Sequence, residues 1–158
     1  MCNRTQALHK HRPISLFATI NSLQVHEDPS EQSGTMYLNS IVDLFSPFDS
    51  TFISLWNKLQ IPANKAGLEQ LQNQLAATMP AYHEFTDTQA VDFQITQHWL
   101  RTQAWQLCMN LGYLSITSVN SCMTFKYPIE ISQQLVSVSH QFPHPVMEMH
   151  GVGLVSST

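Results

Sequence analysis

Charged residues are scarce in this sequence. Asp, Glu, Lys and Arg together make up 11% of its 158 residues, less than half the usual share of about 25%. Hydrophobic residues make up 43%, a normal fraction for a globular chain, which argues against wholesale disorder. The polar surface must therefore consist of Gln, Ser, Thr and Asn, which hydrate a protein but repel neighbouring copies only weakly. This composition suits part of a larger assembly better than a free-standing enzyme.

Cysteines and long apolar runs are also lacking. The three cysteines, Cys2, Cys108 and Cys122, lie far apart, and an odd, sparse count argues against a disulfide scaffold and suits a reducing compartment. No apolar run approaches the roughly 20 residues needed to span a bilayer. The apolar stretch over residues 14–20 is short and diluted, and no small-residue cleavage site follows it. The sequence predicts neither a membrane span nor secretion.

Positive charge is in short supply, which bears on nucleic-acid binding. The formal net charge is −4, so the chain as a whole does not match a phosphate backbone. Three of the seven basic residues, Arg4, Lys10 and Arg12, lie at the N-terminus, where we interpret them as a solvated, frayed end rather than a DNA-contacting arm. We expect no direct nucleic-acid binding by this chain.

Composition divides the chain into two parts. Residues 1–34 are basic, polar and rich in turn formers, and we interpret them as a poorly ordered N-terminal segment. Residues 35–158 read as a helical region, with apolar residues at helical spacing and prolines between the segments. Asp49 or Ser50 is expected to cap a short helix there, and Pro128 to begin another. The predicted helices cover residues 36–45, 50–59, 65–79, 87–111 and 128–142, with a last one starting near residue 146.

The longest predicted helix, over residues 87–111, is expected to lie at the centre of the fold. Its apolar residues, including Trp99 and Trp105, are spread around most of its circumference, and a helix of that kind is buried by its neighbours. Asp87 can cap its start, and Gly112 suits the left-handed residue beyond its end. We interpret the two tryptophans as core residues rather than the wall of a ligand cavity. The predicted fold is an all-α, irregular helical array around a central buried helix.

Histidines invite a metal hypothesis, which their spacing does not favour. His140 and His144 are one helical turn apart, but Pro143 interrupts the helix between them, and no closely spaced cysteines accompany Cys122 and His150. We therefore interpret the histidines as scattered surface residues and assign no metal ligand and no cofactor.

No pattern typical of catalysis stands out either. The chain has no Gly-x-Ser-x-Gly turn, and Cys108 falls among the apolar residues of the central helix, where a small core residue is expected. Glu84, Asp87 and Asp92 are clustered, yet Asp87 already has a capping role. We assign no catalytic residue and predict that the chain is not an enzyme.

Four segments resemble one known family. They are FSPFDSTF at 45–52 followed by LWN at 55–57, QHWLRTQAWQL at 97–107, FKYPIEI at 125–131 and MEMHGVGL at 147–154. Their order and spacing, over residues 36–155, resemble the C-terminal regulatory region of fungal Zn2Cys6 transcription factors, especially the subgroup that controls sexual development. The resemblance implies an α-helical regulatory domain that modulates transcription in the nucleus (without that likeness, a cytoplasmic location is expected).

The sequence departs from this family in two respects. The family reads DNA through a six-cysteine cluster that holds two zinc ions, and no residue here matches it. The family's chain also continues past the segment at 147–154, so we expect an incomplete domain that self-associates or binds protein partners. Two alternatives stay open: a small-ligand-binding or enzymatic helical bundle, and a non-functional truncated fragment. Arg101, the only charged residue between Gln94 and Lys126, is expected to be paired or to lie at the domain edge.

Overall fold

The computed structural model describes residues 32–58, 64–78 and 85–149. These contain six α-helices and one 3-10 helix and, within the described ranges, no strand, so the all-α prediction is confirmed. The helices are α1 (Gln32–Phe45), α2 (Ser50–Trp56), α3 (Lys65–Ala77), α4 (Asp87–Asn110), the 3-10 helix (Ser121–Met123), α5 (Tyr127–Gln141) and α6 (His144–Met149). The helix α1 begins slightly earlier than the sequence predicts, and the N-terminal segment as far as residue 31 lies outside the described residues.

The central position of α4 follows from its contacts. It packs against α1, α3, α5, α6 and the 3-10 helix, and Phe93, Leu100 and Ala104 on it are completely buried. Its start differs from the prediction, because the cap is Thr86 rather than Asp87: the Thr86 hydroxyl accepts from the Gln89 N–H, and the Gln89 side chain accepts from the Thr86 N–H. This reciprocal pair satisfies two otherwise unbonded donors.

The ends of the other helices agree with local sequence signals. Asp49 caps α2 by accepting a hydrogen bond of 2.9 Å from the Phe52 N–H, as predicted. Pro128 lies in the first turn of α5, where its missing N–H costs nothing. Gly112 follows α4 with a φ of 72°, in the left-handed region that a glycine adopts without strain. The chain thus changes direction where its capping residues, glycine and proline dictate.

Aromatic and aliphatic side chains from α2, from the turn before it and from α3 belong to the same core as those of α4. The Phe48 and Phe52 rings meet edge to face with centroids 4.5 Å apart, a favourable aromatic geometry. Leu68, Leu71 and Leu75 of α3 are buried, as their spacing predicts. The predicted helices over residues 50–59 and 65–79 end at Leu59 and Met79, which lie outside the described residues.

Gln72 of α3 is buried although it is polar. As one of the Gln and Asn residues of an amphipathic helix it is expected to face water, but its exposed fraction is 0%. In the part of the chain that the structure describes, no helix is long and apolar enough to cross a membrane.

Candidate functional site

Five polar side chains meet where α3, α4 and α5 pack together; four of them are buried and one, Gln134, is exposed. At their centre is Arg101, whose exposed fraction is 6%. Its Nε donates to the Tyr127 hydroxyl at 2.9 Å, and its Nη1 donates to the Gln134 Oε1 at 2.6 Å. Nη1 also lies 3.1 Å from Nδ1 of His98. We call Gln72, His98, Arg101, Tyr127 and Gln134 the polar cluster.

Burial and the neighbouring arginine together keep His98 neutral. A guanidinium can only donate, so Nδ1 of His98 must accept and the ring must be neutral, with its proton on Nε2. Burial, and secondarily the Arg101 charge, lower the pKa of His98 to about 4. Burial also raises the pKa of Tyr127, although Arg101 opposes that shift. At neutral pH the cluster is therefore one cation among neutral groups.

The buried glutamine of α3 joins this cluster to the backbone. The Gln72 Nε2 donates to the backbone carbonyl of Arg101 at 3.0 Å, and the Tyr127 hydroxyl lies 3.5 Å from the Gln72 Oε1. The guanidinium also lies 5.2 Å from the centroid of the Tyr127 ring, within range of a cation–π interaction. These contacts join the three helices, which explains why Gln72 points inward: a buried amide is stable only when it is hydrogen-bonded.

A second glutamine of α4 has a structural role. The Gln97 Nε2 donates to the carbonyls of Leu75 and Thr78, at 2.6 and 2.8 Å. The last carbonyls of a helix have no partner within it, so this amide satisfies two acceptors at the end of α3. Gln97 fixes α3 against α4 beside the polar cluster.

The polar cluster borders a cleft of about 580 Å³. Residues of α4 and α5 form most of its walls, with contributions from the end of α3 and the residue before the cap of α4. The lining residues are Ala76, Phe85, Asp87, Ala90, Gln94, Gln97, His98, Arg101, Gln134, Ser137, Val138, Gln141 and Phe142. A concave site of this size with a few converging polar groups is the usual setting for a small-molecule ligand.

The charge of Arg101 has no carboxylate beside it in the described ranges. There, the only Lys or Arg within 4.0 Å of a carboxylate is Lys65, which meets Glu69 on the surface of α3. The expectation that Arg101 is paired or at the domain edge is therefore wrong as to the edge, and its partners are all neutral. A cation buried among neutral hydrogen-bond acceptors carries a desolvation cost, which a well-placed anion can reduce.

The two histidines considered for metal binding that the structure describes lie on different helices. His140 is in α5 and His144 begins α6, with the helix break at Pro143 that the sequence predicts. Among the residues that the structure describes, no three His, Cys, Asp or Glu side chains form a group able to hold a metal ion. His150, the third histidine considered, lies outside them.

The described residues that were considered for catalysis or for a ligand wall are buried, hydrogen-bonded within the fold or packed against the core. Cys108 and Cys122 are buried, and burial raises the pKa of both thiols, that of Cys108 to about 12. Asp92 accepts a hydrogen bond from the Tyr37 hydroxyl, while Glu84 lies outside the described residues. Trp99 and Trp105 pack partly buried against the core, and neither lines the cleft. The Trp105 Nε1 donates to the Thr124 carbonyl at 2.9 Å.

The cleft was missed because its polar residues look like surface residues. The available signal was the spacing of Gln97 and Arg101, which lie three or four residues from the buried Phe93, Leu100 and Ala104 on one face of α4. Polar residues inside an apolar helical stripe are either hydrogen-bonded core residues or part of a site. Here Gln97 is the first kind, and Arg101 is a candidate for the second.

Comparison with known proteins finds distant relatives among yeast regulators. The sequence is 27% identical to the respiratory transcription factor ZNF1 of Saccharomyces cerevisiae over 64 residues, which are 40% of this chain and 14% of that protein. It is 25% identical to the maltose fermentation regulatory protein MAL63 over a stretch of the same length and coverage. The maltose fermentation regulatory protein MAL13 is 23% identical over 167 aligned positions, covering 100% of this chain and 33% of the relative.

These similarities support a fungal transcription-factor region. The chain spans at most a third of the length of the curated relatives that it matches, and those relatives bear the names of regulators, not of enzymes. No family model and no solved structure matches the sequence.

Proposed function

We propose that this chain is a helical regulatory domain of a fungal Zn2Cys6-type transcription factor and acts in the nucleus without touching DNA itself. The observation that carries the proposal is the alignment of the whole chain with part of a maltose fermentation regulatory protein. The four sequence segments between residues 45 and 154 add to it, since they resemble the regulatory region of that family. They also favour the subgroup that controls sexual development.

The distribution of charge supports a role away from the nucleic acid. The net charge is −4, and the described ranges hold only four basic residues, Lys58, Lys65, Arg101 and Lys126. Of these, Arg101 is buried and Lys65 faces Glu69. A DNA-binding surface needs several exposed cations on one face, so transcription is influenced through contacts with protein or small-molecule partners.

Protein partners are part of the proposal. Several large apolar side chains are exposed between the end of α4 and the first turn of α5: Ile116 at 87%, Val119 at 102%, Phe125 at 55% and Ile129 at 58%. Exposed apolar side chains in a chain with little charge promote association. We therefore expect this domain to contact another protein or a second copy of itself.

A reporter assay tests the regulatory role. Residues 1–158 are fused to an unrelated DNA-binding module with a nuclear import signal, and transcription from its operator is compared with that from the module alone. A several-fold change in either direction is expected. Leu100→Asp, in the core, should abolish the effect, whereas Leu38→Asp, on the exposed side of α1, should keep it.

One result of the reporter assay would contradict the regulatory role. If the fusion is nuclear and folded but transcription equals that of the module alone, the regulatory proposal is wrong. A separate gel-shift measurement with the unfused chain tests the other half: binding to random or promoter DNA at physiological salt, weakening steeply as salt rises, would contradict the claim that this chain does not contact DNA.

The alternative of a small-ligand-binding bundle has one observation in its favour, the cleft beside Arg101. Such a cleft is compatible with a regulatory domain, because a ligand can shift the population of two conformations only through a site that binds one of them better. The two hypotheses therefore differ in the kind of partner rather than in the fold.

A further inference from the structure

We propose that Arg101 anchors a small anion, a carboxylate or a phosphate group, in the cleft between α4 and α5. The proposed anchor is a buried cation: arginine side chains carry a positive charge in proteins, and the exposed fraction of Arg101 is 6%. In the ranges that the structure describes, no carboxylate lies within 4.0 Å of it, so the cation is held by neutral groups alone.

Arg101 also has N–H donors that the described residues leave unused. A guanidinium carries five N–H groups. The hydrogen bonds of Arg101 use Nε, toward Tyr127, and Nη1, toward Gln134 and His98. No described residue accepts from Nη2, and Arg101 borders the cleft. Two N–H groups of a fixed, planar cation are therefore available to an anionic oxygen, which is the geometry that recognises carboxylates and phosphates.

The contacts of Arg101 hold its guanidinium in a fixed position. The Nε hydrogen bond to Tyr127, together with the contact of the ring with the guanidinium, holds the plane of the arginine in one orientation. Gln72 fixes the backbone of Arg101 through its carbonyl. A donor group that is already oriented loses little conformational freedom when a ligand binds. The polar cluster thus preorganises its cation.

The rest of the cleft indicates the class of ligand. Side-chain amides and a hydroxyl, from Gln94, Gln141 and Ser137, line it beside the arginine, with Val138 and Phe142 as apolar surface. Its volume of about 580 Å³ exceeds that of an inorganic ion. We infer a small polar organic anion, either a phosphate ester or a hydroxycarboxylate, with the anionic group on Arg101 and hydroxyls on the amides.

Asp87 is the one carboxylate among the described residues that line the cleft, and it repels an anionic ligand. Asp87 lies at the edge of the cleft, in the first turn of α4, and its side chain is exposed. Water and salt screen an exposed charge strongly, so Asp87 disfavours a highly charged ligand without preventing the binding of a singly or doubly charged one. An anion would bind this cleft in the same way whether or not the domain regulates transcription.

Anion titration of the full chain tests the proposal. Inorganic phosphate and citrate are added at constant ionic strength, with chloride as the reference, while NMR follows the Arg101 Nε signal and calorimetry follows the melting temperature. Saturable shifts and a raised melting temperature are expected with phosphate, citrate or both. Arg101→Gln should weaken the binding at least tenfold, and Lys126→Gln, which removes an exposed cation elsewhere, should leave it unchanged.

A second variant keeps the test valid if Arg101→Gln fails to fold. Gln134 is exposed on α5, and its Oε1 already meets Nη1 of Arg101 at 2.6 Å, so Gln134→Glu supplies the missing carboxylate with little change in shape. It should raise the melting temperature of the free chain and weaken phosphate binding at least tenfold. Gln133→Glu, an exposed neighbour on the same helix, adds the same charge and should do neither.

Three results would overturn the proposal. The first is that neither phosphate nor citrate binds saturably to the wild-type chain. The second is that Arg101→Gln, folded, binds them as the wild type does. The third is that Gln134→Glu and Gln133→Glu have the same effect on the melting temperature and on phosphate binding. Either another carboxylate of the chain would then already neutralise Arg101, or a carboxylate beside Arg101 would not affect its interactions.

Discussion

Protonation of His98 should make this domain lose stability in mild acid. The side chain is buried beside Arg101, and its pKa is lowered to about 4, whereas an unfolded histidine has a pKa of about 6.5. Above pH 6.5 neither state binds the proton, so the histidine has no effect. Between these pH values the unfolded chain binds a proton that the folded chain refuses, so the free energy of unfolding falls as the pH falls.

The magnitude follows from the two pKa values. Each pH unit between them costs about 1.4 kcal/mol, which gives a total of about 3 kcal/mol once the pH is below 4. Between pH 7 and pH 5 the loss is about 2 kcal/mol. That is a large share of the stability of a domain of this size, which is typically about 5–15 kcal/mol.

His98→Gln isolates this contribution from the other groups that titrate in acid. The glutamine carbonyl can still accept the hydrogen bond from Arg101 but takes up no proton. Urea unfolding at pH 7 and pH 5, in a zwitterionic buffer of constant ionic strength, should show that the wild type loses about 2 kcal/mol more than the variant. His140→Gln, on the exposed end of α5, serves as the control and should follow the wild type.

Parallel losses in the wild type and in His98→Gln would refute the reasoning. They would mean that His98 binds its proton equally well in the folded state, which cannot hold if its Nδ1 accepts from a buried guanidinium. An NMR titration of the His98 ring gives the same answer directly, since the expected midpoint lies near pH 4 and not near pH 6.5.

Three further predictions concern stability and reactivity. Phe93→Ala should cost about 3–5 kcal/mol by urea unfolding because Phe93 is fully buried, whereas Phe125→Ala, at a half-exposed position, should change stability by about 0.5 kcal/mol or less. Gly67→Ala, within α3, should raise the free energy of unfolding by about 0.5–1 kcal/mol, since the new methyl group comes no closer than 3.8 Å to Asn64. Gly112→Ala should lower it by about 1 kcal/mol because the φ of Gly112 is +72°. Equal effects of the two substitutions would contradict both predictions. The buried Cys108 thiol, with a pKa raised to about 12, should resist Ellman's reagent in the native chain and react once urea unfolds it.

The ends of most helices are local properties, so they could be predicted from the sequence. Asp49, Pro128 and Gly112 act through the backbone of their own immediate neighbours. The cap of α4 could have been predicted in the same way, because Thr86 and Gln89 have the three-residue spacing of a capping box. Asp87 also belongs to a residue type that caps helices, which is why the sequence alone leaves two adjacent candidates for this cap.

The central place of α4 could likewise be predicted, from the spread of apolar residues around its circumference. The polar residues among them could not be assigned. Local spacing states which side chains share a face of one helix, but not which groups of another helix lie opposite, and a glutamine is stable inside or outside depending on its partners. Gln72 of α3 is a different case, because it lies four residues after Leu68 and three before Leu75, so helical spacing alone places this completely buried side chain on the apolar face.

The sequence by itself thus determined the helices, their order and the all-α class, because capping, proline and apolar spacing act within a few residues. Only the tertiary structure decided the environment of Arg101. Its partners Tyr127 and Gln134 lie 26 and 33 residues further along the chain, and Gln72 lies 29 residues before it. Packing α3 and α5 against α4 brings these groups together. Because the contacts form only in the packed fold, local sequence could not predict that Arg101 is a buried cation rather than an edge residue.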